Sequence, residues 1–232
     1  MVRCGVLTGL VLLSLLSVAV SVDINIQTLK SIINHLQTNY GSGADQFAVA
    51  INVPAAKCAA DAVPDQNFLP DDVSQTVKAA MNSVVKVYKG QQLIGAKPKP
   101  INQTTNNYHS EYLLLIKRNP PDPSPDDPLI KQLLDKDPNG CVVFYTYNSP
   151  CVQSCSTPGK PHSIIPAFNL FSQHHGPKAF VFHQVWAPDV NSQLWKANIK
   201  SMNNYLTVYR CNNAVCTRCV NNNGNVNDVC MH

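Results

Sequence analysis

The chain has 232 residues, of which 44% are hydrophobic and 14% charged, with a formal charge of +4. That length holds one domain of ordinary size with a buried core, and the composition excludes global disorder. The cations Lys86, Lys89, Lys97, Lys99, Lys117 and Arg118 form no dense block of the kind a strong sequence-independent nucleic-acid binder carries, so charge permits a nucleic-acid substrate without arguing for one.

At the N-terminus Arg3 precedes an uncharged apolar stretch, Gly5 to Val22, in which Ala19-Val20-Ser21 supplies small residues at a cleavage point. This is the pattern of a secretory signal peptide over residues 1–21. Its length lies at the lower edge of a spanning helix, but the small-residue ending and the amphipathic segment behind it favour cleavage. No later apolar run is long enough to cross a bilayer. A secreted protein with no stable membrane association is expected.

Ile24, Leu29, Ile32, Ile33 and Leu36 recur at helical spacing, which predicts a helix from Ile24 to Tyr40 capped by Asp23. The apolar run Phe47 to Val53 reads as a buried strand, and a weaker helix is expected from Asp72 to Met81. Val84 to Ile94 reads as a second strand, with Gly90-Gln91-Gln92 able to turn it back as a hairpin. Gly95 to Asn107 is a loop running into His109, and within it Asn102-Gln103-Thr104 is the only N-glycosylation sequon. The run Tyr112 to Ile116 is too continuous to assign by periodicity; a helix beginning at His109 would aim His109 and Glu111 at one pocket. The five prolines between Asn119 and Pro128 forbid helix or central strand and predict an extended surface loop.

A short helix, Leu129 to Leu134, is expected next, then a strand, Cys141 to Tyr147, that ends at Pro150-Cys151. Further on come a helix (Ile164 to Phe171), a strand (Phe180 to Trp186), a helix (Ser192 to Met202) and a last strand (Tyr205 to Tyr209). Strands alternating with helices late in the chain imply parallel pairing and an α/β sandwich. The tail from Arg210 to His232 is rich in Asn and Cys and can hold little regular structure without cross-links. The expected division is a domain over 22–210 and a disulfide-tethered tail over 211–232.

Two motifs carry chemistry: His109-Ser110-Glu111, and Pro150-Cys151-Val152-Gln153-Ser154-Cys155. One imidazole and two thiolates form a three-ligand zinc set that leaves the fourth tetrahedral position open. Glu111 can reach a water there without binding the metal. Residues four apart on a helix share a face, so Cys151 and Cys155 can converge on one ion. Setting aside Cys4 in the leader, and Cys151 and Cys155 if they hold zinc, leaves Cys58, Cys141, Cys211, Cys216, Cys219 and Cys230. That even remainder suits three disulfides in an oxidising compartment, with fifteen connectivities open. The competing reading of Cys151 and Cys155 is that they are two disulfide halves of a non-catalytic secreted binding protein.

Together the motifs resemble the H-x-E … P-C-x-x-C signature of the zinc-dependent nucleobase deaminases, with one extra residue between the cysteines. The order of elements is similar to the cytidine-deaminase-like fold, and the leader and spare cysteines make the chain resemble the secreted AID/APOBEC-like deaminases of animals. That resemblance implies a three-layer α/β/α fold around a mixed five-stranded sheet whose last two strands are parallel. It implies a Zn²⁺ site of His109, Cys151 and Cys155, with Glu111 moving protons between water, ring nitrogen and departing amine. By the same resemblance Asn106, Asn107, Tyr147 and Trp186 become candidate substrate contacts. The activity implied is hydrolytic conversion of cytosine to uracil in single-stranded DNA or RNA, with a role against foreign nucleic acid. Adenine or a free nucleoside is the alternative substrate, and no protein partner is inferable.

Overall fold

The structure, a computed structural model, describes residues 23–122, 127–212 and 215–232. The expected signal peptide and residues 123–126 of the proline-rich loop lie outside the described residues.

Helix α1 (Ile26–Tyr40) buries Leu29, Ile32, Ile33, Leu36 and Tyr40 along one stripe. Its cap is Asn25, whose side chain accepts from the backbone N–H of Gln27 and Thr28, and not Asp23. Asp23 stands too far ahead of the first turn to reach those donors, and binds Arg218 at 3.0 Å and the Thr207 hydroxyl at 2.9 Å. Strand β1 (Ala48–Val53) is buried throughout because both sheet faces are covered. After a 3-10 turn (Ala55–Cys58) and α2 (Ser74–Asn82) come β2 (Val87–Lys89) and β3 (Leu93–Ala96). Val84 to Ile94 is therefore a hairpin, and one buried carboxylate fixes its turn. Asp72 accepts from the backbone N–H of Gln91 and Gln92 and from the Tyr88 hydroxyl at 2.8–3.0 Å. Gly90 is required there, since a Cβ would collide with Asp72 Oδ1.

The segment before His109 is not a bare loop: β4 (Lys99–Pro100) and β5 (Asn107–Tyr108) pair as a separate ribbon. The remaining elements are α3 (Ser110–Leu115), α4 (Leu129–Leu134), β6 (Cys141–Asn148), α5 (Phe168–Ser172), β7 (Lys178–Gln184), α6 (Gln193–Asn203), β8 (Thr207–Cys211) and β9 (Cys216–Arg218).

The main sheet runs β2-β3-β1-β6-β7-β8-β9. The pairs β6–β7 and β7–β8 are parallel and the others antiparallel, so this is a mixed α/β fold. It has seven strands, not the expected five. The Asp72 turn splits one expected strand into β2 and β3, and a Cys211–Cys216 bridge folds the tail back as β9. The parallel pair formed by β7 and β8 is thus not the end of the sheet.

Strand residues alternate between two cores. Ala48, Ala50, Val142, Phe144, Phe180 and Phe182 face buried residues of α3 to α6, while Val49, Ile51, Val143, Tyr145 and Val181 face those of α1 and α2. Cys58 pairs with Cys141 and Cys219 with Cys230; Cys151 and Cys155 are the free cysteines among the described residues. The tail is tied down further: Trp195 Nε1 donates to the Cys230 carbonyl at 3.0 Å, and Asn191 N–H to that of Met231 at 2.8 Å. Among the described residues no helix is long and apolar enough to cross a membrane.

The Cys58–Cys141 bridge spans a sequence separation of 83, so it removes considerable freedom from the unfolded chain. Replacing both cysteines by alanine is expected to lower stability by roughly 2–5 kcal/mol. In denaturant unfolding this appears as a lower midpoint; an unchanged midpoint and slope would show that the bridge contributes nothing.

Candidate active site

His109 is the N-cap of α3 in extended conformation, so its ring stands off the helix end while Glu111 lies in the first turn. The β4–β5 ribbon delivers the chain to that cap. Opposite, the chain leaves β6 through Ser149 and Pro150 into Cys151. The expected helix at this point is not present. Cys151 to Cys155 is a single α-turn, with the N–H of Cys155 and of Ser156 donating to the Cys151 carbonyl at 2.9 and 3.0 Å. Thr157-Pro158-Gly159 stops it from propagating. One turn suffices, because a four-residue spacing still returns both sulfurs to one side.

His109 Nδ1 lies 3.1 Å from Cys155 Sγ and 3.8 Å from Cys151 Sγ, and one ligand atom from each of the three residues falls within 4.8 Å of the others. Donors sharing one tetrahedral ion, at ~2.0 Å for nitrogen and ~2.3 Å for sulfur, stand ~3.5–3.8 Å apart. The donor set and its spacing therefore fit a metal ion. Cys151 is the more acidic of the two thiols: a hydrogen bond from Cys155, and then His109, hold its pKa down to about 4. The Cys155 thiol, which donates to that sulfur and is buried, is raised well above the ordinary value.

Glu111 is 1% exposed. Burial raises its pKa, opposed chiefly by the nearby His109. The side chains that hydrogen-bond its carboxylate are all donors. The Thr146 hydroxyl lies 2.8 Å and the Gln46 amide 3.3 Å from Oε1, and the Ser110 hydroxyl 3.2 Å from Oε2. A buried carboxyl that keeps these donors yet is a stronger base than in water is equipped to take up and release a proton.

Residues with no obvious motif hold the cysteine turn. Asp189, buried in the 3-10 turn after β7, accepts from Val152 N–H at 2.8 Å. Asn198 of α6 donates to the hydroxyls of Ser156 and Thr157 at 2.9 and 3.2 Å. Gln46, Ser110, Thr146, Asp189 and Asn198 all escaped sequence reasoning. A signal existed for Thr146, which shares strand parity with the apolar Val142 and Phe144 and is the polar exception on that face.

The candidate substrate contacts are scattered. Asn106 and Asn107 are exposed at the end of the ribbon loop, where Asn106 N–H donates to the Thr104 hydroxyl. Tyr147 does not share the Thr146 face. It packs with the α1-side core, stacks on His183 with ring centroids 4.9 Å apart, and lines a cavity there with Gln37 and Asn34. Strand alternation turns it away from Glu111. Trp186 is 42% exposed, and its N–H donates to the hydroxyl of Ser149, two residues before Cys151. Asn102 lies in an exposed turn.

The family model described as Secreted Novel AID/APOBEC-like Deaminase 1 matches residues 26–232. The chain belongs to this family and is a secreted protein of the AID/APOBEC-like deaminase type. No curated protein and no solved structure matches it.

Asp189→Ala leaves the half-buried Val152 N–H without its acceptor and is expected to cost about 1 kcal/mol in denaturant unfolding. Asp189→Asn keeps an acceptor oxygen and should cost less than half of that. Equal losses in the two variants would remove the hydrogen bond as the cause.

Proposed function

We propose, from the chain's place among the secreted AID/APOBEC-like deaminases, that it is a zinc-dependent hydrolase converting cytosine to uracil in single-stranded DNA or RNA. The observation that carries this reading is the convergence of His109 Nδ1 with the sulfurs of Cys151 and Cys155 beside a buried carboxyl, in a chain of that family. His109, Cys151 and Cys155 would hold the ion. Zinc bound there would supply the Lewis acidity that activates an attacking water near neutral pH. Glu111 takes a proton on its carboxylate, delivers it to the ring nitrogen of the base, and protonates the departing amine. One water is consumed and one ammonia released: a C–O bond forms where the exocyclic C–N bond breaks.

Support for a polymeric substrate comes from Trp186, whose exposed ring is anchored through its backbone to Ser149 at the start of the cysteine turn. An aromatic so placed can stack a neighbouring base, worth ~1–3 kcal/mol. Asn106 and Asn107 lead directly into His109 and offer polar contacts from the other side. Residues 1–21 leave as a signal peptide, 22–210 form the deaminase domain, and 211–232 are its disulfide-tethered tail. Asn102 carries a glycan, and the role outside the cell is defence against foreign nucleic acid.

The test is a panel of cytosine- and adenine-containing single strands, duplexes and free nucleosides, run beside Glu111→Ala. Wild type is expected to release ammonia from cytosine in single strands, and Glu111→Ala to lose ~10²–10⁴-fold in rate while keeping its metal. Full activity in Glu111→Ala overturns the role of Glu111. Activity confined to adenine or to nucleosides overturns the substrate.

A further inference from the structure

Gln46 is the residue immediately before β1's apolar run, half-buried, and no motif marks it. Its side chain reaches three elements at once. Nε2 lies 2.9 Å from the Thr146 hydroxyl on β6, 3.0 Å from the Ser110 hydroxyl on α3, and 3.3 Å from Glu111 Oε1. On the other side Oε1 accepts the backbone N–H of Asn148 at 2.8 Å. That last bond fixes the sense of the amide: the oxygen must face Asn148, so the NH₂ must face the carboxylate cage.

The consequence is directional. A hydroxyl has one proton and two lone pairs. The two Gln46 hydrogens face three acceptors and go chiefly to the nearer two, the oxygens of Thr146 and Ser110, filling a lone pair on each, with Glu111 Oε1 at 3.3 Å a weaker, shared contact. The proton of Ser110 is then free for Glu111 Oε2 at 3.2 Å. Thr146 has two acceptors in range, Glu111 Oε1 at 2.8 Å and the Asn148 carbonyl at 3.1 Å; the carboxylate is both nearer and charged, and so takes the proton. One neutral amide thus orients both hydroxyls that grip the carboxyl, and ties that grip to the strand from which the cysteine turn departs.

We propose that Gln46 is a positioning residue for Glu111: by setting the donor sense of Ser110 and Thr146 it holds the carboxyl in the single orientation that faces the His109–Cys151–Cys155 cluster. The catalytic part of this inference rests on Glu111 carrying the proton; the structural part does not. Gln46 itself touches neither metal nor base, so its loss acts on the chemical step and leaves substrate binding alone.

The variant is Gln46→Leu, close in size and without donor or acceptor, with Gln46→Met as a second apolar replacement should the leucine side chain pack badly there. Kinetics on the best substrate of the panel should show kcat lowered ~10–100-fold, as misplacement of a catalytic group does, with KM within about twofold of wild type and zinc content unchanged. Loss expressed in KM, or a kcat within about twofold of wild type, overturns the catalytic claim. Crystal structures of wild type and variant form the second arm. The Glu111 carboxyl should leave hydrogen-bond range of Thr146 in the variant; a carboxyl that stays in place overturns the clamp itself. If wild type deaminates nothing, the proposed function falls, and the crystallographic arm still decides the clamp.

Discussion

A carboxyl group taken out of water must find donors or give up its charge, and the side chains that hydrogen-bond Glu111 (Gln46, Ser110 and Thr146) all donate to it. Much of the local architecture follows from that demand. The first turn of α3 must lie against the end of β6 so that Ser110, Glu111 and Thr146 meet, and Gln46 must stand just ahead of β1 so that an amide can close the cage. The antiparallel pairing of β1 with β6 places these groups together, with Ala48 opposite Thr146. The same carboxyl stands beside the one His and Cys cluster with metal-ligand spacing among the described residues.

The cysteine half of the site has a different support. The turn that returns Cys151 and Cys155 to one side is too short to be stable alone, and it is pinned from outside by Asp189 and Asn198. Both lie between the parallel strands β7 and β8, in the crossover that α6 completes. The tail lies over that crossover, with the Cys230 carbonyl taking the Trp195 indole N–H and the Met231 carbonyl the Asn191 N–H. Disulfides therefore do more here than close loops: Cys219–Cys230 holds the segment that braces the region on which the cysteine turn rests.

What could be read from the chain divides along physical lines. Continuous apolar runs such as Phe47 to Val53 and Cys141 to Tyr147 are legible as strands because both sheet faces are covered, and the α1 stripe because burial follows one helical face. The split of Val84 to Ile94 depends on Asp72, distant in sequence, so local pattern shows a possible hairpin without requiring it. Strand β9 is three residues, Cys-Thr-Arg, with no apolar period, and exists because Cys216 is bridged to Cys211. At the site, metal-ligand spacing is a signal that local sequence carries, and His109, Cys151 and Cys155 are found through it. Gln46 and Asp189 act through side-chain hydrogen bonds across the fold, which no spacing rule records. Tyr147 shows the opposite error: proximity to Pro150-Cys151 in sequence does not survive strand alternation, which sends it to the α1 side.

The central claim is that Cys151 and Cys155 serve as thiolate ligands in a secreted protein whose other described cysteines are all bridged. Metal analysis combined with thiol counting on the purified protein tests it most directly. The expected result is one zinc per chain, with two thiols that react only after chelation. No zinc and no titratable thiol, with Cys151 joined to Cys155, would contradict it and leave a disulfide-rich binding protein in place of an enzyme.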